Sequence, residues 1–227
     1  MNMLELNKIY CGNCFDLFRN IEDNSVDFVF TSPPYNRKKN DKYTYYNDTL
    51  AEYFEFLDSI VVEGMRVAKN HLFLNIQATY YNRQDVYKLI GKYSDIIQNI
   101  IVWGKDNPMP SSGDSLTNAY EFFIVFGKTP LKSNSTYTKN MIITSVNSKM
   151  PPEHKAVMHQ DVSDWFIENF TSVGDVVLDP FMGSGTTGIS CKKFGRHYIG
   201  FELSAEYCSL SETRISGVNN NCVDTLW

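Results

Sequence analysis

No apolar run of roughly 18 residues occurs in this chain, so a membrane-spanning helix is not expected. Met1 to Lys8 lacks a basic segment followed by an apolar one, and no secretory signal is read there. Histidine is scarce, four in 227 residues, and none has a partner at metal-ligand spacing. No metal is expected. Cysteine is few and odd in number, five at irregular spacing, which points to reduced thiols in a cytosol. Cys11-Gly12-Asn13-Cys14 matches C-x-x-C, yet no second pair completes a zinc set. Small residues ending a strand is the plainer reading. Positive charge is in deficit, with 21 Lys and Arg against 26 Asp and Glu and a formal net charge of −5. That balance excludes a protein coated with phosphate-binding groups. The deficit is uneven, however. From Phe122 to Pro152 there is no Asp or Glu, while Lys128, Lys132, Lys139 and Lys149 occur. A second cluster is Arg37, Lys38, Lys39 and Lys42, interleaved with Tyr43, Tyr45 and Tyr46. Basic loops on an acidic body suit nucleic acid held by a limited surface; two solvated loops are the alternative.

What is present describes an ordinary globular domain. Hydrophobic residues make up 43% and charged residues 21%. Short β-type runs alternate with helix-like stretches, which predicts an α/β sheet. The strand candidates are 7–11, 26–31, 71–76, 97–103, 122–126, 176–179 and 198–202. Apolar periodicity without proline predicts helices over 50–67, 80–93, 162–170, 186–194 and 205–216. Segments 36–49 and 128–150 read as long non-regular stretches, a length that in a compact domain often carries function. The Asn-rich end, 217–227, reads as a frayed tail.

Two segments carry chemistry. Thr31-Ser32-Pro33-Pro34-Tyr35-Asn36 directly follows an apolar strand. Two prolines cannot continue a sheet ladder, because both lack the N–H and fix φ. The chain must leave the sheet in a stiff turn that offers carbonyls, one hydroxyl and one aromatic ring. In an open α/β sheet, that end of a strand is where ligands sit. The second segment is Asp179-Pro180-Phe181-Met182-Gly183-Ser184-Gly185-Thr186-Thr187-Gly188, again at a strand end. Its G-x-G-x-x-G spacing lets a ligand approach backbone closely. No lysine follows the glycines, which excludes a nucleotide-triphosphate P-loop in its usual form. Glu202 ends the next strand, where an acceptor can take ribose hydroxyls, as in dinucleotide folds.

Thr31-Ser32-Pro33-Pro34-Tyr35 resembles the catalytic motif of the DNA amino-methyltransferases, and Val176 to Thr187 resembles their S-adenosylmethionine motif. With the catalytic motif first, the order is similar to that of the permuted beta class. The resemblance runs from about Asn7 to Arg214. It implies a Rossmann-like, S-adenosylmethionine-dependent fold with a mixed twisted sheet, flanking helices and circularly permuted motifs. A single domain is then expected over 1–216, with a catalytic half over 7–127, a target-recognition segment over 128–150 and a cofactor half over 151–216. Ser32, Pro33, Pro34 and Tyr35 become the catalytic residues. Asn13, Cys14, Thr31, Asp179, Phe181, Gly183, Gly185, Thr186, Thr187 and Glu202 become the cofactor residues. Asn13 departs from the family, which usually has Asp there; an amide still accepts from the adenine amine. His154 to His159 is similar to the family segment before its cofactor half, although a proline is common where His159 stands. Trp103 and Tyr120 fall in segments resembling the base pocket.

The resemblance implies methyl transfer to an exocyclic amine of duplex DNA, with the target base flipped out and stacked on Tyr35. Methylation at cytosine C5 needs a cysteine after a proline, and no Pro-Cys dipeptide exists. In the family, serine at the position of Ser32 is commoner with cytosine N4 and aspartate with adenine N6, which tilts the expectation to cytosine. The implied setting is the cytoplasm of a bacterium or phage host, in a restriction-modification system. Its partners would be double-stranded DNA, a cognate restriction endonuclease and a second subunit compensating for the short recognition segments. An NAD-dependent oxidoreductase would explain the glycines and Glu202 but leaves the Ser-Pro-Pro-Tyr turn without a role. A silent DNA-binding module would need neither motif. RNA or protein amide methylation shares the chemistry but more often carries Asn at the position of Ser32.

Overall fold

The structure, a computed structural model, describes residues 4–37, 49–108, 110, 116–145 and 157–218. Among them, eight strands form one sheet: β1 (Lys8–Cys11), β2 (Val26–Thr31), β3 (Ala68–Ile76), β4 (Ile97–Lys105), β5 (Tyr120–Gly127), β6 (Met141–Thr144), β7 (Val176–Asp179) and β8 (His197–Glu202). Their order across the sheet is β1-β8-β7-β2-β3-β5-β4-β6. β5 runs antiparallel to β3 and β4, and the other neighbouring pairs are parallel. The helices are α1 (Cys14–Phe18), α2 (Tyr53–Val67), α3 (Arg83–Lys92), α4 (Gln160–Phe170), α5 (Thr186–Lys193) and α6 (Ala205–Ser216). This is the α/β sheet that the alternation of segments predicts, mixed and helix-flanked as the resemblance implies.

β2 and β3 are near-continuous apolar runs because helices cover both of their faces. The period-two alternation of a strand sorts their side chains. Val29, Leu72, Leu74 and Ile76 face one core with Leu57 and Ile60 of α2 and Leu89 of α3. Phe28, Phe30 and Phe73 face a second core with Phe166 of α4, Cys191 of α5 and Ile215 of α6. Three layers result, with α1 to α3 on one side and α4 to α6 on the other. Phe166 anchors the second core, its ring centroid 4.1 Å from Phe123 and 5.2 Å from Phe30.

Several sequence expectations need correction. Helix α1 was not expected; five residues are too few to show a period. Asn13 starts it by accepting a hydrogen bond from Phe15 N–H at 2.9 Å. The stretch 128–150, read as non-regular, contributes β6, which lies against β4 at the sheet edge. Cys11 and Cys208 stand side by side, bringing β1 and α6 together across 197 residues of sequence. That separation hides the proximity from any reading of spacing. Cys14 and Cys191 are free and buried, and Cys222 lies outside the described residues. Among the described residues, no helix is long and apolar enough to cross a membrane, and no cluster of ligands suits a metal.

Candidate active site

β2 and β7 are parallel neighbours, paired at Phe28 with Val177 and Val29 with Leu178. From β2 the chain crosses through α2 to β3 on one side; from β7 it crosses through α5 to β8 on the other. The sheet order therefore reverses between them, and a crevice opens beyond their carboxyl ends. Both sequence motifs leave the sheet at that crevice.

On the β7 side, Asp179 is buried and its carboxylate is held from three directions. Thr31 Oγ1 donates to it at 3.0 Å, Thr187 Oγ1 at 2.5 Å and Phe181 N–H at 3.0 Å. Burial raises its pKa to about 6, against the opposing pull of those hydrogen bonds. Thr31, Asp179 and Thr187 thus satisfy one another and pin the two strand ends together. Gly183 and Gly185 turn the chain with φ of 54° and 86°. A Cβ on Gly185 would lie 2.8 Å from Ser211 Cβ, so that glycine admits α6. A Cβ on Gly183 would meet only Phe181 O at 3.9 Å, so Gly183 is the one with open space beside it. Glu202, at the end of β8, braces the turn by accepting from Gly183 N–H at 2.8 Å and Ser204 N–H at 2.9 Å. Each of its oxygens keeps a lone pair for a further donor.

On the β2 side, the proline turn is held from beneath. Tyr53 Oη donates to the Pro34 carbonyl at 2.8 Å, and Asn82 Nδ2 donates to the Tyr35 carbonyl at 2.7 Å. Asn82 itself is fully buried and also donates to the Gln77 carbonyl at 3.0 Å. Above the turn, polar groups from β3, β4 and β5 converge. Ser32 Oγ donates to Asn75 Oδ1 at 3.1 Å and lies 3.1 Å from Tyr35 Oη. Tyr35 Oη also contacts Asn75 Oδ1, and donates to Glu121 Oε2 at 2.8 Å. Glu121 Oε1 pairs with the Lys105 ammonium. Burial, and then the Glu121 charge, push the Tyr35 phenol well above its ordinary range, so it stays a neutral hydroxyl.

The profile of the DNA methylase family, which groups N6 and N4 methyltransferases, matches residues 26–213. The chain belongs to the DNA methylase family. It is similar to the type II methyltransferase M2.MboI of Moraxella bovis, with 30% identity over 236 residues covering 91% of this chain and 86% of that protein. It is 25% identical to the type II methyltransferase M.HinfI of Haemophilus influenzae, covering 95% of this chain and 70% of that one. Among solved structures, the cytosine-N4-specific PvuII DNA methyltransferase matches with a TM-score of 0.75 at 21% identity, covering 96% of this chain and 89% of that one. The S-adenosylmethionine complex of M1.HpyAVI matches with a TM-score of 0.64 at 24% identity, covering 91% and 98%. These two likenesses establish the fold of a DNA methyltransferase.

In this methylase, the expected residues divide by placement. Ser32, Pro33, Pro34, Tyr35, Thr31, Asp179, Phe181, Gly183, Gly185, Thr186, Thr187 and Glu202 all gather at the β2–β7 crevice. Phe181 packs edge-on against Phe56 at 5.9 Å. Asn13 sits just past β1, with its oxygen in the α1 cap and its amide nitrogen outside that bond. The Cys14 thiol is turned into the core and pushed up to about 12 by burial, so its side chain is not a ligand group. Trp103 is likewise a core residue, donating to Thr144 Oγ1 at 2.8 Å, whereas Tyr120 is exposed. His159 caps α4 by accepting from Asp161 N–H at 3.3 Å. Arg37 is exposed beside the proline turn. Lys128 is at the wrong edge of the sheet for a DNA contact near the crevice. Its ammonium reaches Asn24 Oδ1 at 2.6 Å and the carbonyl of Ala68, both at the amino ends of parallel strands. β5 runs antiparallel and carries it there. Lys132 lies near Asn134, which is anchored to the Glu168 and Thr171 carbonyls at the far end of α4, away from the crevice. Lys139 is exposed just before β6. Lys38, Lys39, Lys42 and Lys149 lie outside the described residues, as do His154 to Ala156.

Sequence reasoning missed Asn75, Glu121, Lys105 and Asn82. A signal existed for the first two: each is a polar residue beside an apolar run of its strand, and each is at least nine-tenths buried. Asn75 Nδ2 is buried without a partner among the described residues. Buried polar groups in strands need partners, and partners at a strand's carboxyl end mark a site.

Proposed function

We propose that this chain transfers a methyl group from S-adenosylmethionine to the N4 amine of a flipped-out cytosine in duplex DNA, as the modification enzyme of a restriction-modification system. The observation that carries this reading is the Ser32 hydroxyl at the crevice. Its one hydrogen is shared between Asn75 Oδ1 and Tyr35 Oη, each 3.1 Å away, which leaves an oxygen lone pair for a donor. An exocyclic amine is such a donor, and a poor nucleophile until its lone pair is released from the ring. Hydrogen bonds from its two N–H groups to Ser32 Oγ and the Pro33 carbonyl pull it toward sp³ geometry. The Pro34 carbonyl is already taken by Tyr53, which favours Pro33 for this part. The rate gain comes from positioning and electrostatics. Tyr35 supplies the stacking surface for the base.

The turn after β7 suits the cofactor. Gly183 has open space beside it, Glu202 retains lone pairs for ribose hydroxyls, and the Asn13 amide stands at the neighbouring strand end for adenine. When bound, S-adenosylmethionine supplies an electrophilic methyl group on a sulfonium. The glycine turn excludes side chains from that side, and the proline turn presents the amine across the crevice. The permuted motif order and the division into catalytic, recognition and cofactor segments belong to this same reading. Arg37 and Lys139 are the described cations it assigns to DNA phosphates.

Serine at position 32 favours cytosine. Adenine N6 is the second reading, because the matching family groups both amines and both bases set an amino donor beside a ring nitrogen. Plasmid DNA methylated by the purified chain with labelled S-adenosylmethionine, then digested to nucleosides for mass spectrometry, tests both. N4-methylcytosine supports the first reading and N6-methyladenine replaces it with the second. Absence of label with cofactor binding intact overturns DNA as the substrate.

A further inference from the structure

Methylation of a neutral amine leaves nitrogen positively charged and with one hydrogen to lose. The site already described has an unassigned route for it. Tyr35 Oη lies 3.1 Å from Ser32 Oγ and donates to Glu121 Oε2 at 2.8 Å. Glu121 is the second residue of β5 and is only 9% exposed. Among the described residues, no other carboxylate hydrogen-bonds Ser32 or Tyr35. A buried carboxylate costs solvation, and a neutral amide would position the tyrosine equally well. The charge therefore calls for a use. Lys105 pairs with the other oxygen, which leaves Oε2 to face Tyr35.

We infer that Ser32, Tyr35 and Glu121 form a proton relay from the methylated amine to the Glu121 carboxylate. This rests on the methyl-transfer reading above. The nitrogen–carbon bond forms as the carbon–sulfur bond breaks, and that electron pair leaves with sulfur. The amine proton then passes to Ser32 Oγ, and its N–H electron pair returns to nitrogen. Ser32 passes its own proton to Tyr35 Oη, and Tyr35 passes its own to Glu121. Both hydroxyls end neutral and Glu121 ends as the neutral acid, from which solvent regenerates the carboxylate. Before transfer, the Glu121 charge also polarises Tyr35 and Ser32, making Ser32 Oγ a stronger acceptor for the target amine. Glu121 is thus a positioning residue acting through Tyr35. Burial and the Glu121 charge keep Tyr35 protonated, as a relay of hydroxyls requires.

The test uses the full chain with duplex DNA in single-turnover methyl transfer. Dissociation constants for S-adenosylmethionine and DNA, and ligand-free unfolding, are measured alongside. Glu121→Gln and Tyr35→Phe are each expected to slow transfer on the order of 10- to 100-fold with both affinities unchanged. The double variant should be no slower than the slower single one, because both cut one chain. Glu121→Asp should recover part of the rate. Glu121→Gln transferring at the wild-type rate would overturn the relay, as would losses of affinity and stability that match the loss of rate. A wild-type chain that binds cofactor and DNA yet transfers nothing would overturn the methyl-transfer reading itself.

Discussion

Two turns leave adjacent strands at the same edge of the sheet and are stiffened by opposite means. After β7 the chain uses glycines in left-handed conformations, and carboxylates hold the backbone around them: Glu202 accepts from Gly183 N–H, and Asp179, itself held by the Thr31 and Thr187 hydroxyls, accepts from Phe181 N–H. After β2 the chain uses two prolines that fix their own φ, Tyr53 and Asn82 hold the carbonyls from beneath, and the side chains above work on the hydroxyls. The first turn strips side chains away so that something can lie against backbone. The second projects a hydroxyl, a carbonyl and a ring toward the same space. A crevice between neighbouring strands therefore has one wall suited to holding and one suited to reacting.

The largest expected effect separates the two glycines of the first turn. Gly185→Leu forces a left-handed leucine into Ser211 and should cost roughly 3 kcal/mol or more in denaturant unfolding, or abolish folding. Gly183→Ala meets only Phe181 O at 3.9 Å and should cost only about 1 kcal/mol, while weakening cofactor affinity. Equal losses of stability would show that the turn has no open side.

Asp179 comes next. Its pKa is raised in the fold from 3.8 to about 6, mainly by burial, so its protonated form is the one the fold favours. Its contribution is complete below the unfolded pKa and is lost as pH rises through about 6, a change of about 3 kcal/mol. Wild-type stability minus that of Asp179→Asn should therefore fall as pH rises from about 4 to about 7. A flat difference in urea unfolding would mean that the three hydrogen bonds already cancel the burial.

On the second turn, Ser32→Ala should lower turnover about 100-fold, near 2.7 kcal/mol, with cofactor affinity intact. Parallel loss of affinity would place Ser32 on the holding wall instead. Asn13→Ala should cost about 1 kcal/mol through the α1 cap, and a calorimetric titration should show weaker cofactor binding beyond that loss. The smallest effect is a contrast between two edges of the sheet. Arg37→Ala should reduce the salt slope of DNA binding by about one, whereas Lys128→Ala should leave it unchanged.

Much of this was legible in the chain. The strands at 26–31 and 176–179 were read with their observed bounds, because apolar runs stopped by Pro-Pro or by an Asp-Pro and glycine turn have few alternatives. Helix α1, strand β6 and the Cys11–Cys208 proximity were not legible. One is too short to show a period, one is an exposed edge strand with weak patterning, and one joins residues 197 apart.

By itself the sequence determined the two turns, since proline and glycine act on their own backbone and need no partner to do so. It also determined the layered α/β class through its apolar periodicity. Only the tertiary structure decided that β7 lies beside β2, that Lys128 sits at the wrong edge, and that Asn75, Lys105 and Glu121 meet over Ser32 and Tyr35. Those groups come from separate strands, and contact between them depends on strand order and register. Both are set by the packing of the whole sheet against its helices, which no local stretch of sequence encodes.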